Sequence, residues 1–180
     1  NSDNVDATNV VVTAGTLTIN GGLSADTLTG AATATTINGG NGNDVITGGA
    51  AADTLNGDDG NDTIVTGNGG GNVAGGNGND TITGGAGTDS ITGGAGADTL
   101  TGGNGTDTYV VNTGEVVAGD SIVETAADGD TDVISVATAT DMTPFTAASF
   151  DNIEAITFAN GQNGTVSSAQ MTGETIALTG

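Results

Sequence analysis

The sequence has no lysine, arginine, histidine or cysteine, and it has a single proline and a single tyrosine among its 180 residues. Without lysine or arginine it lacks the basic surface by which proteins bind nucleic acid or anionic membranes. Without cysteine and histidine it cannot form disulfides, a thiolate or histidine zinc site, or a Ser-His-Asp or Cys-His triad. We therefore expect no catalytic residues, no enzyme activity and no nucleic-acid partner.

Apolar runs are also short, since none is longer than about three residues, as at 10–12, whereas a membrane-spanning helix needs about 20. We expect no direct membrane insertion. No basic segment followed by an apolar one stands near the start, so no N-terminal secretory signal is visible. Because the chain begins at Asn1, we expect it to be a piece of a longer protein.

Acidic residues and glycine dominate what is present. The chain has 22 aspartates and glutamates and 34 glycines, and its formal net charge is −22. With no positive side chain to offset this charge, the natural partner is a cation.

Residues 75–110 consist of four consecutive nine-residue units of the form G-G-x-G-x-D-x-U-x, in which U is a large apolar residue. The same register extends back to Gly21 without an insertion, which makes ten units over residues 21–110. The eighth position is apolar in every unit: Leu28, Ile37, Ile46, Leu55, Ile64, Val73, Ile82, Ile91, Leu100 and Tyr109. Because Ile19 and Val10 fall on the same period, we predict that residues 1–20 form strands that continue from a longer chain.

Each unit divides into six turn residues and three strand residues. Glycine, asparagine and aspartate at positions 1 to 6 favour turns, and Thr-Ile-Thr or Thr-Leu-Thr at positions 7 to 9 favours a strand with its apolar residue pointing inward. Two units, or eighteen residues, would then form one turn of a coil whose strands pair in parallel about 4.8 Å apart.

The sixth position is aspartate in eight of the ten units: Asp26, Asp44, Asp53, Asp62, Asp80, Asp89, Asp98 and Asp107. With eighteen residues per turn these side chains form two columns. One column is complete from Asp26 to Asp98, and the other is interrupted by Thr35 and Gly71. Charges at the strand spacing repel by about 0.9 kcal/mol in water and by more at lower dielectric. We therefore predict Ca²⁺ between neighbouring aspartates, the alternative being turn-forming aspartates that face solvent.

These repeats resemble the RTX calcium-binding proteins. The resemblance implies a right-handed parallel β-roll over residues 21–110, in which calcium lies between adjacent turns and is bound by aspartate carboxylates and by main-chain carbonyls at positions 1 to 4 of each unit. About five strong sites are implied, at the pairs 26/44, 44/62, 62/80, 80/98 and 89/107. The implied carbonyl ligands belong to Gly39, Gly40, Asn41, Gly42, Gly57, Asp58, Asp59, Gly60, Gly75, Gly76, Asn77, Gly78, Gly84, Gly85, Ala86, Gly87, Gly93, Gly94, Ala95, Gly96, Gly102, Gly103, Asn104 and Gly105.

The nine-residue period stops at Val111, and we predict a β-rich C-terminal cap over residues 111–180. Short strands are predicted at 133–136, 153–158, 164–166 and 175–178. The ring of Tyr109 could close the open end of the core. Asp120, Glu124 and Asp132 could hold a capping calcium, or they could be solvated loop carboxylates. The expected fold class is thus all-β: a parallel roll with a β-rich cap.

The function expected from these features is a calcium-binding structural module of a secreted bacterial protein, which folds when Ca²⁺ binds. The resemblance implies type I secretion, and the absence of lysine and arginine resembles calcium-dependent surface-layer (S-layer) proteins of the Caulobacter type. The partners would be calcium, neighbouring lattice subunits at the cell surface and, through other parts of the chain, surface polysaccharide. Two alternatives remain: a calcium-dependent ice- or surface-binding roll, suggested by repeated Thr-x-Thr as at Thr27/Thr29, Thr81/Thr83 and Thr99/Thr101, or an accessory module of a secreted enzyme or toxin.

Overall fold

The computed structural model describes residues 4–6, 16–112, 114–115, 117, 119–124, 130–137, 140–141, 153–159, 164–165 and 177–179, and every regular element within them is a strand. The strands are β1 (Asn4–Asp6), β2 (Leu17–Gly22), β3 (Thr27–Thr29), β4 (Thr35–Asn41), β5 (Val45–Gly49), β6 (Asp53–Asp59), β7 (Thr63–Gly67), β8 (Gly71–Asn77), β9 (Thr81–Gly85), β10 (Asp89–Ala95), β11 (Thr99–Gly103), β12 (Thr108–Val111), β13 (Ser121–Ile122), β14 (Val133–Val136), β15 (Thr140–Asp141), β16 (Ala155–Phe158), β17 (Gly164–Thr165) and β18 (Ala177–Thr179). Over these described ranges, no helix is long and apolar enough to cross a membrane.

The strands form two facing parallel sheets. Sheet A contains β1, β3, β5, β7, β9, β11 and β13 in that order, and sheet B contains β2, β4, β6, β8, β10, β12, β14, β16 and β18. Strands β15 and β17 form a separate parallel pair. Because consecutive strands of the repeat alternate between sheets A and B, the chain winds as a solenoid, which confirms the predicted all-β parallel fold.

The register within the repeat is eighteen residues per turn in both sheets. Ile37 lies opposite Leu55 in sheet B, and Ile64 lies opposite Ile82 in sheet A. The predicted pairing of two nine-residue units into one turn is therefore confirmed from Leu17 to Tyr109.

The core is the space between the two sheets, and the eighth residue of every unit fills it. From Leu28 to Tyr109 these ten side chains are at most 6 % exposed. Their neighbours at positions 7 and 9 point away from the core, since side chains alternate along a strand. Each turn thus contributes one apolar side chain from each sheet.

The coil continues beyond both ends of the repeat, but its turns become longer. Val5 lies opposite Leu28, 23 residues away, so Val5 takes the place that the nine-residue period assigned to Val10. Val10 itself lies outside the described residues. On the other side, Ile122 lies opposite Leu100 and Ile134 lies opposite Tyr109, at offsets of 22 and 25 residues. Tyr109 therefore does not close the core, because the buried Ile134 follows it.

The β-rich region predicted after Val111 is present, and three of its strands extend sheet B. Strand β14 matches the predicted 133–136, and β16 occupies the last four residues of the predicted 153–158. Strand β17 overlaps the predicted 164–166, and strand β18 overlaps the predicted 175–178. Residues 166, 175 and 176 of these predictions lie outside the described residues. The longer turns thus keep the strand pairing of the roll while inserting loops between strands.

Candidate metal centre

The sixth residue of each unit lies at one of the two edges of the coil, where a turn leads into a strand. We define the first edge by Asp26, Asp44, Asp62, Asp80 and Asp98, and the second edge by Thr35, Asp53, Gly71, Asp89 and Asp107. All eight predicted aspartates have side chains at most 3 % exposed. The structure therefore places them inside the edges of the coil, which contradicts the alternative of solvent-facing turn residues.

On the first edge the aspartates form an unbroken hydrogen-bonded column. The amide of Asp26 donates to Oδ1 of Asp44 at 2.7 Å, and the same bond repeats from Asp44 to Asp62, from Asp62 to Asp80 and from Asp80 to Asp98. The amide of Asp98 then donates to Oδ1 of Asp120 at 2.8 Å, across 22 residues. Asp120 therefore belongs to the first edge.

On the second edge the column has a gap. The amide of Thr35 donates to Oδ1 of Asp53, but Gly71 has no carboxylate to continue the series. Beyond the gap, the amide of Asp89 donates to Asp107 and that of Asp107 donates to Asp132. The amide of Asp132 donates to Oε2 of Glu154 at 2.8 Å, which extends this edge to a residue that the sequence analysis missed.

The second carboxylate oxygen is the one available to a metal. Oδ2 of Asp44, Asp62, Asp80 and Asp107 is buried and has no hydrogen-bond partner among the described residues. A buried, unpaired carboxylate is strongly destabilising unless a cation balances it. These four oxygens are therefore suited to bind a hard cation.

The first residue of each unit brings a carbonyl oxygen to the same place. A Cβ added to Gly57 would overlap both Oδ2 of Asp62 and the carbonyl oxygen of Gly75 in the next turn, and the same holds for Gly75 with Asp80 and Gly93. Glycine at position 1 thus leaves a space that a carboxylate and a carbonyl face together. Ca²⁺ prefers this combination of oxygen ligands, so the residues fit the ion.

The other predicted carbonyl ligands are partly engaged in main-chain hydrogen bonds. The position-3 carbonyls of Asp59, Asn77 and Ala95 accept from Gly42, Gly60 and Gly78 at 2.7–2.8 Å. On the second edge the position-2 carbonyl of Gly85 accepts from Asn104. Because a carbonyl has two lone pairs, these groups keep one for a metal, whereas position 1 lies beside a carboxylate directly.

The electrostatics of the columns agree with this geometry. Burial is the largest cause of the raised pKa of Asp80, which together with smaller contributions from the charges of Asp98 and Asp62 reaches about 6. Burial, together with the charges of Asp89, Asp132 and Glu124, raises the pKa of Asp107 to about 7. Burial is also the largest cause of the raised pKa values of Asp44, Asp62 and Asp98. Each shift measures how unfavourable the bare carboxylate is at its position.

Two of the predicted ligands are already satisfied by main-chain amides. Asp53 accepts from Thr35 and from Gly49, both at 2.7 Å. Asp120 accepts from Asp98 at 2.8 Å and from Val117 at 2.7 Å. With both oxygens hydrogen bonded, these carboxylates depend less on a cation than Asp62 does.

The three carboxylates predicted as one capping site do not come together. Asp120 lies on the first edge, whereas Glu124 and Asp132 lie on the second edge with Asp107. One oxygen from each of Asp107, Glu124 and Asp132 lies within 4.8 Å of the others. The grouping of Asp120 with the other two is therefore wrong, because Asp120 and Glu124 flank strand β13 and so lie at its opposite ends, on different edges of the coil.

The missing carboxylate at Gly71 is accompanied by a hydrogen bond between adjacent turns that the sequence analysis missed. The hydroxyl of the fully buried Thr66, the first residue of the same unit, donates to the carbonyl oxygen of Gly84 in the next turn. A hydroxyl thus joins adjacent turns beside the missing carboxylate. The signal in the sequence was the coincidence of a threonine at position 1 and a glycine at position 6 in one unit.

Comparison with known families agrees with the site. The family model described as the RTX calcium-binding nonapeptide repeat (4 copies) matches residues 29–64, 38–73 and 74–109. No curated whole protein matches the chain. The matched ranges contain every aspartate of the two edges from Asp44 to Asp107.

Proposed function

We propose that the chain is a calcium-binding β-roll of the RTX type and that it acts as a structural element whose folding is coupled to calcium binding, as the match of the RTX nonapeptide family model within residues 29–109 supports. The observation that carries the proposal is the column of buried Oδ2 atoms on the first edge, exemplified by Asp44, Asp62 and Asp80. No lysine, arginine or histidine anywhere in the chain can balance them.

Coupled folding follows from the charge of the two edges. In the unfolded chain the aspartates are separated and hydrated, but in the coil they stack at the strand spacing and lose water. A calcium ion between two turns reverses the repulsion and contributes its binding free energy to folding, because the site exists only in the folded chain. Two apolar side chains per turn make a thin core, so this contribution is required.

A calcium titration followed by circular dichroism and scanning calorimetry tests the proposal. In EGTA we expect no cooperative unfolding transition and little β-sheet signal, and both should appear as calcium is added. Magnesium at the same concentration should be less effective, because it requires stricter octahedral geometry and releases water reluctantly. A chain that is equally folded in EGTA would refute the coupling.

We propose further that the protein is exported by type I secretion and belongs to a calcium-dependent surface layer, where the roll would stiffen the subunit and contact its lattice neighbours. The support is compositional: the chain lacks lysine and arginine and is rich in glycine. Electron microscopy of the protein with calcium should show ordered sheets. Monodisperse protein at all calcium concentrations would contradict the lattice role. We also propose that the module itself is not an enzyme, since the sequence offers no histidine, cysteine or lysine for general-base or nucleophilic catalysis.

Ice or crystal-surface binding is a second candidate, and the outer face of sheet A favours it. Eight of the ten outward positions in strands β3, β5, β7, β9 and β11 are threonine, stacked in register. The two exceptions are Val45 and Val65, which are 45 % and 36 % exposed. The outer face of sheet B is interrupted more often, at Asn38, Asn56, Asn72, Ala74, Ser90 and Val110. Thermal hysteresis in the presence of calcium would support this function, and its absence would exclude it.

A further inference from the structure

Glu124 occupies a position that holds glycine in most other turns of the second edge. Ile122 pairs with Leu100, and the amide of Val123 donates to the carbonyl oxygen of Leu100 at 2.8 Å. The next residue, Glu124, therefore stands one turn beyond Gly102. The equivalent residues of the earlier turns are Gly30, Gly48, Thr66, Gly84 and Gly102. Where Gly84 and Gly102 offer a main-chain carbonyl alone, this turn adds a carboxylate.

The Glu124 carboxylate is directed back into the coil. Its side chain is 5 % exposed, and its Oε1 accepts from the hydroxyl of Tyr109 and from the amide of Gly102 at 3.2 Å. Its Oε2 accepts from the amide of Gly103 at 3.4 Å. These contacts hold the carboxylate at the end of the regular repeat.

An unpaired oxygen of Asp107 faces the same space. Asp107 is fully buried, and its Oδ2 has no hydrogen-bond partner among the described residues. A Cβ added to Gly102 would overlap this Oδ2 and would lie 2.6 Å from Oε1 of Glu124. Asp132, 3 % exposed, completes the group, with one oxygen from each of the three carboxylates within 4.8 Å of the others.

We propose that Asp107, Glu124 and Asp132 form a cation site distinct from the two-aspartate sites of the repeat, with the hydroxyl of Tyr109 at its wall. Three carboxylates at this separation repel one another by about 0.9 kcal/mol per pair in water and by several-fold more at lower dielectric, and no basic residue is present to balance them. One divalent ion leaves a net charge of −1, whereas one trivalent ion neutralises the group. The site should therefore take a trivalent lanthanide before the two-aspartate sites do.

Terbium luminescence tests the proposal, because Tyr109 is the only tyrosine and the chain has no tryptophan. Tb³⁺ is added stepwise to the calcium-loaded full chain, emission is excited through tyrosine, and total bound terbium is measured in parallel. We expect tyrosine-sensitised emission to saturate at one equivalent while further terbium still binds. Glu124→Gln should reduce the emission at least tenfold. Glu115→Gln is the matched control, since Glu115 hydrogen bonds to Asn112 and lies beside Asp98 on the first edge rather than at this site, and it should leave the emission unchanged.

The wild-type measurement decides the proposal even if the variant fails to fold. Sensitised emission that rises in parallel with total bound terbium, or that is absent, would overturn it, as would full emission from folded Glu124→Gln. The inference rests on the proposed cation binding of the roll, but the two can fail separately. A chain that binds no calcium would refute the proposed function, whereas a chain that folds with calcium and gives no tyrosine-sensitised emission would refute this site alone.

Discussion

The main-chain amide of Asp62 donates a hydrogen bond of 2.9 Å to Oδ1 of Asp80, eighteen residues later. This bond uses one carboxylate oxygen of Asp80 to join consecutive turns and leaves Oδ2 buried without a partner. Asp44, Asp62 and Asp80 of the first edge therefore each have a structural oxygen and an oxygen suited to a metal. The different roles of the two carboxylate oxygens explain why aspartate is needed at this position even though one of its oxygens already has a main-chain donor.

Replacing Asp62 with asparagine should reduce the number of bound calcium ions by up to two, because Asp62 belongs to the pairs 44/62 and 62/80. Asparagine keeps an oxygen for the amide of Asp44 but removes the charge and the second oxygen. Equilibrium dialysis with atomic emission detection measures the number of ions bound per chain.

Asp53→Asn is the matched control for this experiment. Both oxygens of Asp53 accept main-chain hydrogen bonds, from Thr35 and Gly49, and Gly71 follows it in the column. We expect this variant to lose some stability, about 1–3 kcal/mol for an unpaired buried donor, and to bind the same number of calcium ions. Equal losses of calcium in the two variants would contradict the assignment of the free Oδ2 atoms.

Inside the repeat, the sequence predicts the fold almost completely, because a nine-residue period with one inward side chain fixes the register. Ile64 and Ile82 lie opposite each other as their spacing requires. Beyond Val111 the turns lengthen to 22 or 25 residues, and no glycine pattern marks where each turn ends. Asp120 and Asp132 could therefore be recognised as candidate ligands but not assigned to their edges. The contact of Thr66 with Gly84 depends on side-chain geometry that a period does not specify.

The calcium-free chain should gain β structure on acidification. Burial raises the pKa of Asp80 to about 6 and of Asp107 to about 7, compared with about 3.9 for an unfolded aspartate. The folded chain then binds more protons than the unfolded chain between these values. This contribution to stability is fully present below about pH 4 and is lost as the pH rises through about 7. Circular dichroism of the metal-free chain at stepwise lower pH measures the expected gain of β structure.

In saturating calcium, acidification should have the opposite effect on the chain. Protons compete with calcium for the same carboxylates, so the apparent calcium affinity should fall as the pH falls below about 7. Calcium titrations by calorimetry at several pH values provide the comparison. A metal-free chain that loses structure on acidification would contradict the raised pKa values of the buried aspartates.

Truncation of the core should be costly despite its small width. Ile82 is fully buried between Ile64 and Leu100 in its column. Ile82→Ala should reduce the free energy of unfolding by about 2–5 kcal/mol in saturating calcium, through lost burial and a residual cavity. Val65→Ala, on the outer face of the same sheet, should cost less than about 1 kcal/mol. Thermal unfolding of both variants makes the comparison, and similar losses would show that the apolar columns do not stabilise the coil.

The last prediction concerns Thr66 and Gly71, two residues of one unit that both differ from the repeat pattern. Every repeat unit with aspartate at position 6 has glycine at position 1, and the only unit with a side chain at position 1 has glycine at position 6. The structure gives the reason, since a Cβ at position 1 would overlap Oδ2 of the aspartate in the same unit, as at Gly57 and Asp62.

Gly71→Asp alone should therefore destabilise the roll and add no calcium ion, because its Cβ would lie 2.5 Å from the carbonyl oxygen of Asp53 and the new carboxylate would meet the side chain of Thr66. Thr66→Gly alone should lose the hydrogen bond to Gly84, at a cost of about 1 kcal/mol. The double variant should bind at least one more calcium ion than the wild type and should be more stable in calcium than the sum of the single effects. Calcium stoichiometry and thermal unfolding of all four chains measure this coupling. If Gly71→Asp alone gains an ion, the hydroxyl of Thr66 does not close the gap in the second edge.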